Sequence, residues 1–236
     1  DETAKNGTKY TYMVKAVDGK KVSQYYAGEK ITCLGAPKLS SVKNYTSSVK
    51  INWNKVSSAD GYYVYRKGKT GSWKQIAKIS GGSKVSYTDK SVSCSETYTY
   101  TVRAYDGKVK GCYNNSGIKT IFLKNPSELK FENSDLGLVL NFNKVDAAEA
   151  YEIYRKNLNG EWEKISSVIG ADATSFIDLD VEDGETYSYS VKALNGKYSS
   201  YFNKNGVEIQ YAEPVVEEET EVTENTDNIE NEEVVA

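Results

Sequence analysis

Histidine is absent from the 236 residues of this chain. That excludes a Ser-His-Asp triad, a Cys-His pair and any His-ligated metal. Cysteine is scarce, with Cys33, Cys94 and Cys112 only. An odd count without CxxC spacing makes no disulfide framework, and a zinc site would be short of ligands. One bridge, Cys33 to Cys112 across the 34–37 linker, is geometrically conceivable; free thiols are the other reading. No apolar run approaches the ~18 residues of a membrane span. No basic-then-apolar leader opens the chain, which begins at Asp1, so the native start is expected upstream. Against these shortages stands tyrosine, with 20 copies to 5 phenylalanines.

The scarcity of proline exposes a repeat. Pro37, Pro126 and Pro214 stand 89 and 88 residues apart, a spacing that recurs along the chain. Ile51-Asn52-Trp53-Asn54-Lys55-Val56 matches Leu140-Asn141-Phe142-Asn143-Lys144-Val145. Gly61 to Lys67 matches Ala150 to Lys156, Trp73 matches Trp162, and Asp89 matches Asp178. Thr97 to Ala104 matches Thr186 to Ala193 and appears a third time as Lys9 to Ala16. The chain therefore divides into the back end of a truncated repeat (1–35), a complete repeat (36–124), a second complete repeat (125–212) and an acidic tail without aromatic residues (213–236). The tail's composition predicts disorder.

Each repeat alternates with period 2 in short runs, the pattern of half-buried strands. Tyr98, Tyr100, Val102 and Ala104 share one face of a strand; Thr97, Thr99, Thr101 and Arg103 share the other. Asp106-Gly107, Asp18-Gly19 and Asn195-Gly196 follow such strands and predict type I′ hairpins. Helical signals are nearly absent. Seven short strands with one buried face each predict an all-β fold, a two-sheet sandwich per repeat.

These residues resemble the fibronectin type III domains. The resemblance covers 36–212 and the half-unit before it. It rests on Trp53 or Phe142 in the second strand and on Tyr62/Val64 or Tyr151/Ile153 in the third. The runs Val92 to Tyr98 and Val181 to Tyr187 look like the family's tyrosine corner. Phe142 departs from the usual Trp, and Cys94 and Asp183 stand where the family has Pro before the corner. The flavour is similar to tandem modules of bacterial surface and secreted proteins. The resemblance implies an extracellular or cell-surface spacer, adhesion or docking unit, although fold alone does not fix function.

Candidate chemistry is thin. Asp178 to Glu185 is the densest carboxylate cluster, but an EF-hand needs Gly at its sixth place and Glu at its twelfth. Those places hold Asp183 and Tyr189, so no metal ligand set is assigned. No nucleophile motif or phosphate-cradling loop occurs. A non-enzyme without cofactor is the expectation.

Aromatic residues supply the one ligand-contact hypothesis. Tyr65 and Tyr154 should point outward, Trp73 and Trp162 lie on the next strand, and Arg103 and Lys192 point outward after the corner. Flat rings with a cation nearby can stack on sugars. The competing reading has the rings merely shielding the sheet. Recurrence of the trio in both repeats favours that structural role. The first reading makes the chain a carbohydrate-binding accessory region of a secreted glycan-degrading enzyme.

The net charge of −3 conceals segregation. Segment 36–124 holds 16 Lys and Arg against 4 Asp and Glu, net +12. Segment 125–212 holds 8 against 15, net −7, and 213–236 holds 10 acids and no base. Three readings follow: solubility with neighbouring repeats of opposite sign, contact of the basic repeat with a polyanionic cell-surface polymer or glycan, and masking of that repeat by the tail. Protein partners and neighbouring repeats remain open; nucleic acid is not expected, for want of a recognition helix or basic aromatic RNA motif.

Overall fold

The computed structural model describes residues 1–214. Most of the tail predicted to be disordered, residues 215–236, lies outside the described residues. Every regular element among them is a strand, as the period-2 runs of Tyr, Thr, Val and Ile require.

The first 35 residues form a twisted hairpin. Strand β1 (Lys9–Val14) pairs antiparallel with β4 (Tyr26–Thr32), and β2 (Val17–Asp18) pairs with β3 (Lys21–Val22) at the tip. Tyr12, Met13 and Val14 remain exposed, because no second sheet covers them. The root of the hairpin borrows its neighbour's surface. Ser58 Oγ donates to the Gly7 carbonyl, Cys112 N–H donates to the Leu34 carbonyl, and Thr32 Oγ1 donates to Asp106.

The first sandwich contains β5 (Leu39–Asn44), β6 (Val49–Trp53), β7 (Gly61–Lys67), β8 (Lys74–Ser80), β9 (Ser86–Asp89), β10 (Thr97–Asp106), β11 (Val109–Lys110) and β12 (Ile118–Ile121). One sheet runs β5-β6-β9; the other runs β8-β7-β10, with β11 and β12 both on β10. The second sandwich repeats this with β13 (Lys130–Ser134), β14 (Gly137–Asn141), β15 (Ala150–Lys156), β16 (Trp162–Ile169), β17 (Ser175–Asp178), β18 (Thr186–Asn195), β19 (Tyr198–Ser199) and β20 (Val207–Gln210). Its sheets run β13-β14-β17 and β16-β15-β18, with β19 and β20 on β18. All pairings are antiparallel.

Each sandwich has its own core. Val49, Ile51 and Trp53 face Tyr62, Val64, Tyr100, Val102 and Ala104 in the first. Leu138, Leu140 and Phe142 face Tyr151, Ile153, Tyr189, Val191 and Ala193 in the second. Trp53 and Phe142 meet Tyr62 and Tyr151 edge-on at 5.3 and 4.9 Å, so Phe fills the Trp position without changing the contact.

The choice of tyrosine over phenylalanine has a cause. A buried hydroxyl must be hydrogen-bonded, and here several tie a loop to the core. Tyr62 Oη accepts from Val56 N–H and donates to the Gly82 carbonyl, both at 3.0 Å. Tyr151 repeats this with Val145 and Ala171. Both tyrosine corners are present: Tyr98 Oη accepts from Ser93 N–H at 2.9 Å, and Tyr187 Oη from Glu182 N–H at 2.8 Å.

The hairpins differ from the type I′ expectation. Asp106 pairs with Val109 and Asn195 with Tyr198, so the central residues are Gly107-Lys108 and Gly196-Lys197. Gly107 and Gly196 have φ of 55° and 51°, while neither lysine has positive φ, the signature of a type II′ turn. The same turn closes Gly19-Lys20, where Asp18 pairs with Lys21 and Gly19 has φ of 57°, so glycine at the first central position sets it locally; Asp60 and Glu149 add acceptors for the N–H of Gly107 and Gly196.

A charged clamp crosses each sandwich. Asp89, fully buried, accepts hydrogen bonds from Arg66 Nη1 at 2.7 Å, Tyr100 Oη at 2.9 Å, and Ser91 N–H and Oγ. Asp178 receives Arg155 and Tyr189 in the same way, at 2.8 and 2.7 Å. Burial works against the Asp89 carboxylate, but the bonds from Ser91, Arg66 and Tyr100 outweigh it and hold its pKa below the ordinary range. Burial and the adjacent carboxylate push the Tyr100 and Tyr189 hydroxyls upward.

The junctions are built rather than loose. Leu34 sits in the core of the first sandwich, and Leu123, its repeat equivalent, in that of the second. Asn44 Nδ2 donates across the second junction to the Ser199 carbonyl at 2.9 Å while also holding the Ile121 carbonyl. Asn125 Nδ2 donates to the Tyr201 carbonyl, and the Tyr45 ring stacks on Tyr201 at 5.4 Å. All three cysteines are free thiols, Cys112 being exposed.

Candidate functional site

The six residues singled out from the sequence fall into two equivalent clusters on the β8-β7-β10 and β16-β15-β18 sheets. In the first, Tyr65 stacks on Tyr113 at 6.0 Å with 22° between ring planes. Arg103 lies over the same ring at 5.7 Å and donates from Nε to the Gly111 carbonyl. Trp73 lies under the Lys67 ammonium, 4.7 Å from its ring. In the second, Tyr154 and Trp162 both meet Phe202 edge-on, at 4.8 and 5.5 Å. Lys192 lies over Tyr154 and Lys156 over Trp162.

Tyr113 and Phe202 are the members that sequence reasoning missed. They stand 89 residues apart in loops of Asn, Ser, Lys and Gly, Tyr113 alone and Phe202 directly after Tyr201. The repeat spacing alone could have found them.

The tryptophans are wedged rather than laid open. Trp162 Nε1 donates to the Lys204 carbonyl at 3.1 Å. A Cβ at Gly206 would stand 2.4 Å from the Trp162 ring, and one at Gly117 would stand 2.9 Å from Trp73. Each ring thus props the strand that follows its loop, at a glycine of positive φ. Gly206→Ala is expected to destabilise the second sandwich by roughly 1–3 kcal/mol through strain and clash. Part of that loss should vanish in a Trp162→Ala background. A double-mutant cycle by thermal unfolding measures this coupling; strict additivity would remove the wedge.

Glu152 ties the second cluster together electrostatically. Its carboxylate accepts from Tyr154 Oη at 2.8 Å and pairs with Lys164 and Lys192 at 3.5 Å. Burial opposes its charge, yet the Tyr154 bond and the two lysines hold its pKa below the usual value. Burial and the Glu152 contact push the Tyr154 hydroxyl up to about 12.

The carboxylate run from Asp178 has no spare first ligand, since Asp178 is engaged by Arg155 and Tyr189. No group of three or more His, Cys, Asp or Glu that could hold a metal ion occurs among the described residues. No helix among the described residues is long and apolar enough to cross a membrane.

A second feature lies where the sandwiches meet. A groove of about 550 Å³ runs between β5 and β12 of the first and the 192–204 stretch of the second. Lys43, Lys119, Lys192, Lys197 and Lys204 line it, and no Asp or Glu does. Val42, Ile118, Tyr198, Tyr201 and Phe202 supply apolar surface between them. The cluster around Tyr154 continues into this groove through Phe202 and Lys192.

Strand order, twin cores and tyrosine corners define a tandem β-sandwich protein of fibronectin type III-like fold. No family model matches the chain. A poly(3-hydroxybutyrate) depolymerase of Ralstonia pickettii is 36% identical over 61 residues, 26% of this chain and 11% of that protein. The chain thus spans about a tenth of the length of that curated relative. Among solved structures, the FN1-FN3 domains of chicken CNTN1 superpose with a TM-score of 0.36 at 16% identity, covering 88% of this chain and 76% of that one. A two-domain fibronectin type-III segment of chicken tenascin gives 0.39 at 14% identity, covering 75% and 98%.

Proposed function

We propose that this chain is a non-catalytic segment of a larger extracellular or cell-surface protein. It sets two sandwiches end to end, spacing or displaying what flanks them and offering a surface for contact with a protein or cell-wall polymer. The construction of the junctions supports this most directly. Leu34 and Leu123 each leave a linker to enter the next core, Asn44 bonds across the second junction, and Asn125 ties the linker end to the second sandwich. A linker so anchored transmits position, whereas a Gly/Ser tether does not. Spin labels on Lys69 and Glu161, both exposed, test the reading by their distance distribution. A single narrow distribution is expected; a broad one, of the kind an unstructured tether gives, would end the spacer interpretation.

A second reading is kept because the curated relative is itself a polymer-degrading enzyme by name. The chain would then be a carbohydrate-binding accessory region of a secreted glycan-degrading enzyme, using Tyr65, Trp73, Arg103, Tyr154, Trp162 and Lys192. The wedged tryptophans weigh against it. Retained polysaccharide affinity in the Trp73→Ala/Trp162→Ala variant, or none in the parent, removes this second reading.

A further inference from the structure

We propose that the groove between the two sandwiches is the docking site of the chain's own acidic C-terminal segment, residues 215–236. This goes beyond the spacer reading and rests on the same fixed abutment of the two sandwiches.

Charge comes first. The groove carries five lysines and no acid. Lys192 is already paired with Glu152, and the Lys197 ammonium lies over Tyr198 at 5.7 Å. Lys43, Lys119 and Lys204 are exposed at its rim, with no acidic partner among the described residues. Residues 215–236 hold nine Asp and Glu and no base. The sandwich they leave is itself net negative, and the one beyond the groove is strongly positive. Repulsion from the first and attraction to the second act in the same direction.

Composition comes second. The acids of this segment are interspersed with Val222, Ile229, Val234 and Val235. A lysine-rimmed groove with Val42, Ile118 and Tyr201 along it suits an acidic chain with β-branched side chains better than a purely ionic one.

Reach comes third, and it selects which acids dock. Tyr211 N–H bonds to the Glu185 carbonyl, so the chain departs beside the start of β18. The groove lies near the other end of that strand, where Leu194 pairs with Ser199. From Thr186 to Leu194 the strand covers about 26 Å at ~3.3 Å per residue. Residues 215–236 span at most about 75 Å when extended. Some ten residues are consumed in the crossing, so Asp227, Glu230, Glu232 and Glu233 arrive at the lysines, and Glu217, Glu218 and Glu219 do not.

Zero-length carbodiimide cross-linking of the full chain at low salt tests this, read by peptide mass spectrometry. The expected links join Asp227 through Glu233 to Lys43, Lys119 or Lys204. They should fall several-fold at high salt, where the screening length contracts to ~3 Å. Links spread evenly onto Lys69 and Lys84, which are exposed elsewhere on the basic sandwich, would overturn the proposal. So would links between chains in an isotope-mixed sample, which would assign the groove to a second copy. A second arm titrates polyglutamate into the full chain and into the variant Asp227→Asn/Glu230→Gln/Glu232→Gln/Glu233→Gln. The tethered segment competes at high effective concentration, so the variant should bind roughly tenfold tighter. Equal affinity would leave the groove open to outside polyanions and refute self-docking. A broad spin-label distribution would disperse the groove and remove both conclusions, whereas a narrow one without the expected links refutes self-docking alone.

Discussion

Asp89→Ala is expected to lower the stability of the first sandwich by about 3–5 kcal/mol, the cost of stripping one partner from a buried ion pair. Asp89 is fully buried, and its removal strips the Tyr100 hydroxyl of its acceptor and leaves Arg66, whose side chain is 23% exposed, with the neutral Ser91 carbonyl and hydroxyl but no carboxylate. Asp178→Ala should cost the second sandwich less. Arg155 keeps the Asp180 carboxylate at 2.8 Å and the Asp180 carbonyl. Calorimetry that resolves the two sandwiches checks both numbers. A loss below about 1 kcal/mol at Asp89 would show the clamp to be dispensable.

The clamp also sets an acid limit. Asp89 has a folded pKa below its unfolded value of about 4. Its contribution is therefore fully present above that unfolded value and is lost as pH falls through the lower folded one. Glu152, held low by Tyr154 and its two lysines, has the same sign in the second sandwich but is less buried. The first sandwich should thus weaken steeply in acid, and the Asp89→Ala variant should show a flatter profile. Equal slopes would remove the linkage.

Leu34→Ala should cost about 2–5 kcal/mol, the range for truncating a core leucine. Its second effect is on geometry. Leu34 is the residue by which the 1–35 hairpin enters the next core, and its carbonyl accepts the Cys112 N–H. Amide exchange of β4 should accelerate along with the fall in melting temperature. Leu123→Ala should do the same at the second junction and broaden the spin-label distance distribution. A stability loss with the distribution unchanged would place the rigidity in Asn44 and Asn125 instead.

Much of the fold is legible in the residues. Proline spacing exposes the repeat, and the alternation of Tyr98, Tyr100, Val102 and Ala104 marks the buried face that the first core displays. The tyrosine corners read correctly because they are local, five residues apart. The hairpins did not read correctly. In all three the strands close one residue later than the Asp-Gly or Asn-Gly pair suggests, with Gly at the first central position and Lys at the second. The clamp was equally hidden, since Asp89 and Asp178 look like solvated loop acids until Arg66 and Arg155 arrive from another strand.

The contact surface divides along the same line. The recurrence of Tyr65, Trp73 and Arg103 as Tyr154, Trp162 and Lys192 is a property of the sequence, as are the charge blocks of the two repeats and the tail. That the tryptophans are wedges depends on Gly117 and Gly206 being brought beneath them by β12 and β20. That Lys43, Lys119 and Lys204 share one groove depends on how two sandwiches abut. Periodicity and composition act within a strand or a segment, so one-dimensional reading recovers them. Apposition of residues 150 positions apart is decided by packing, which no local pattern encodes.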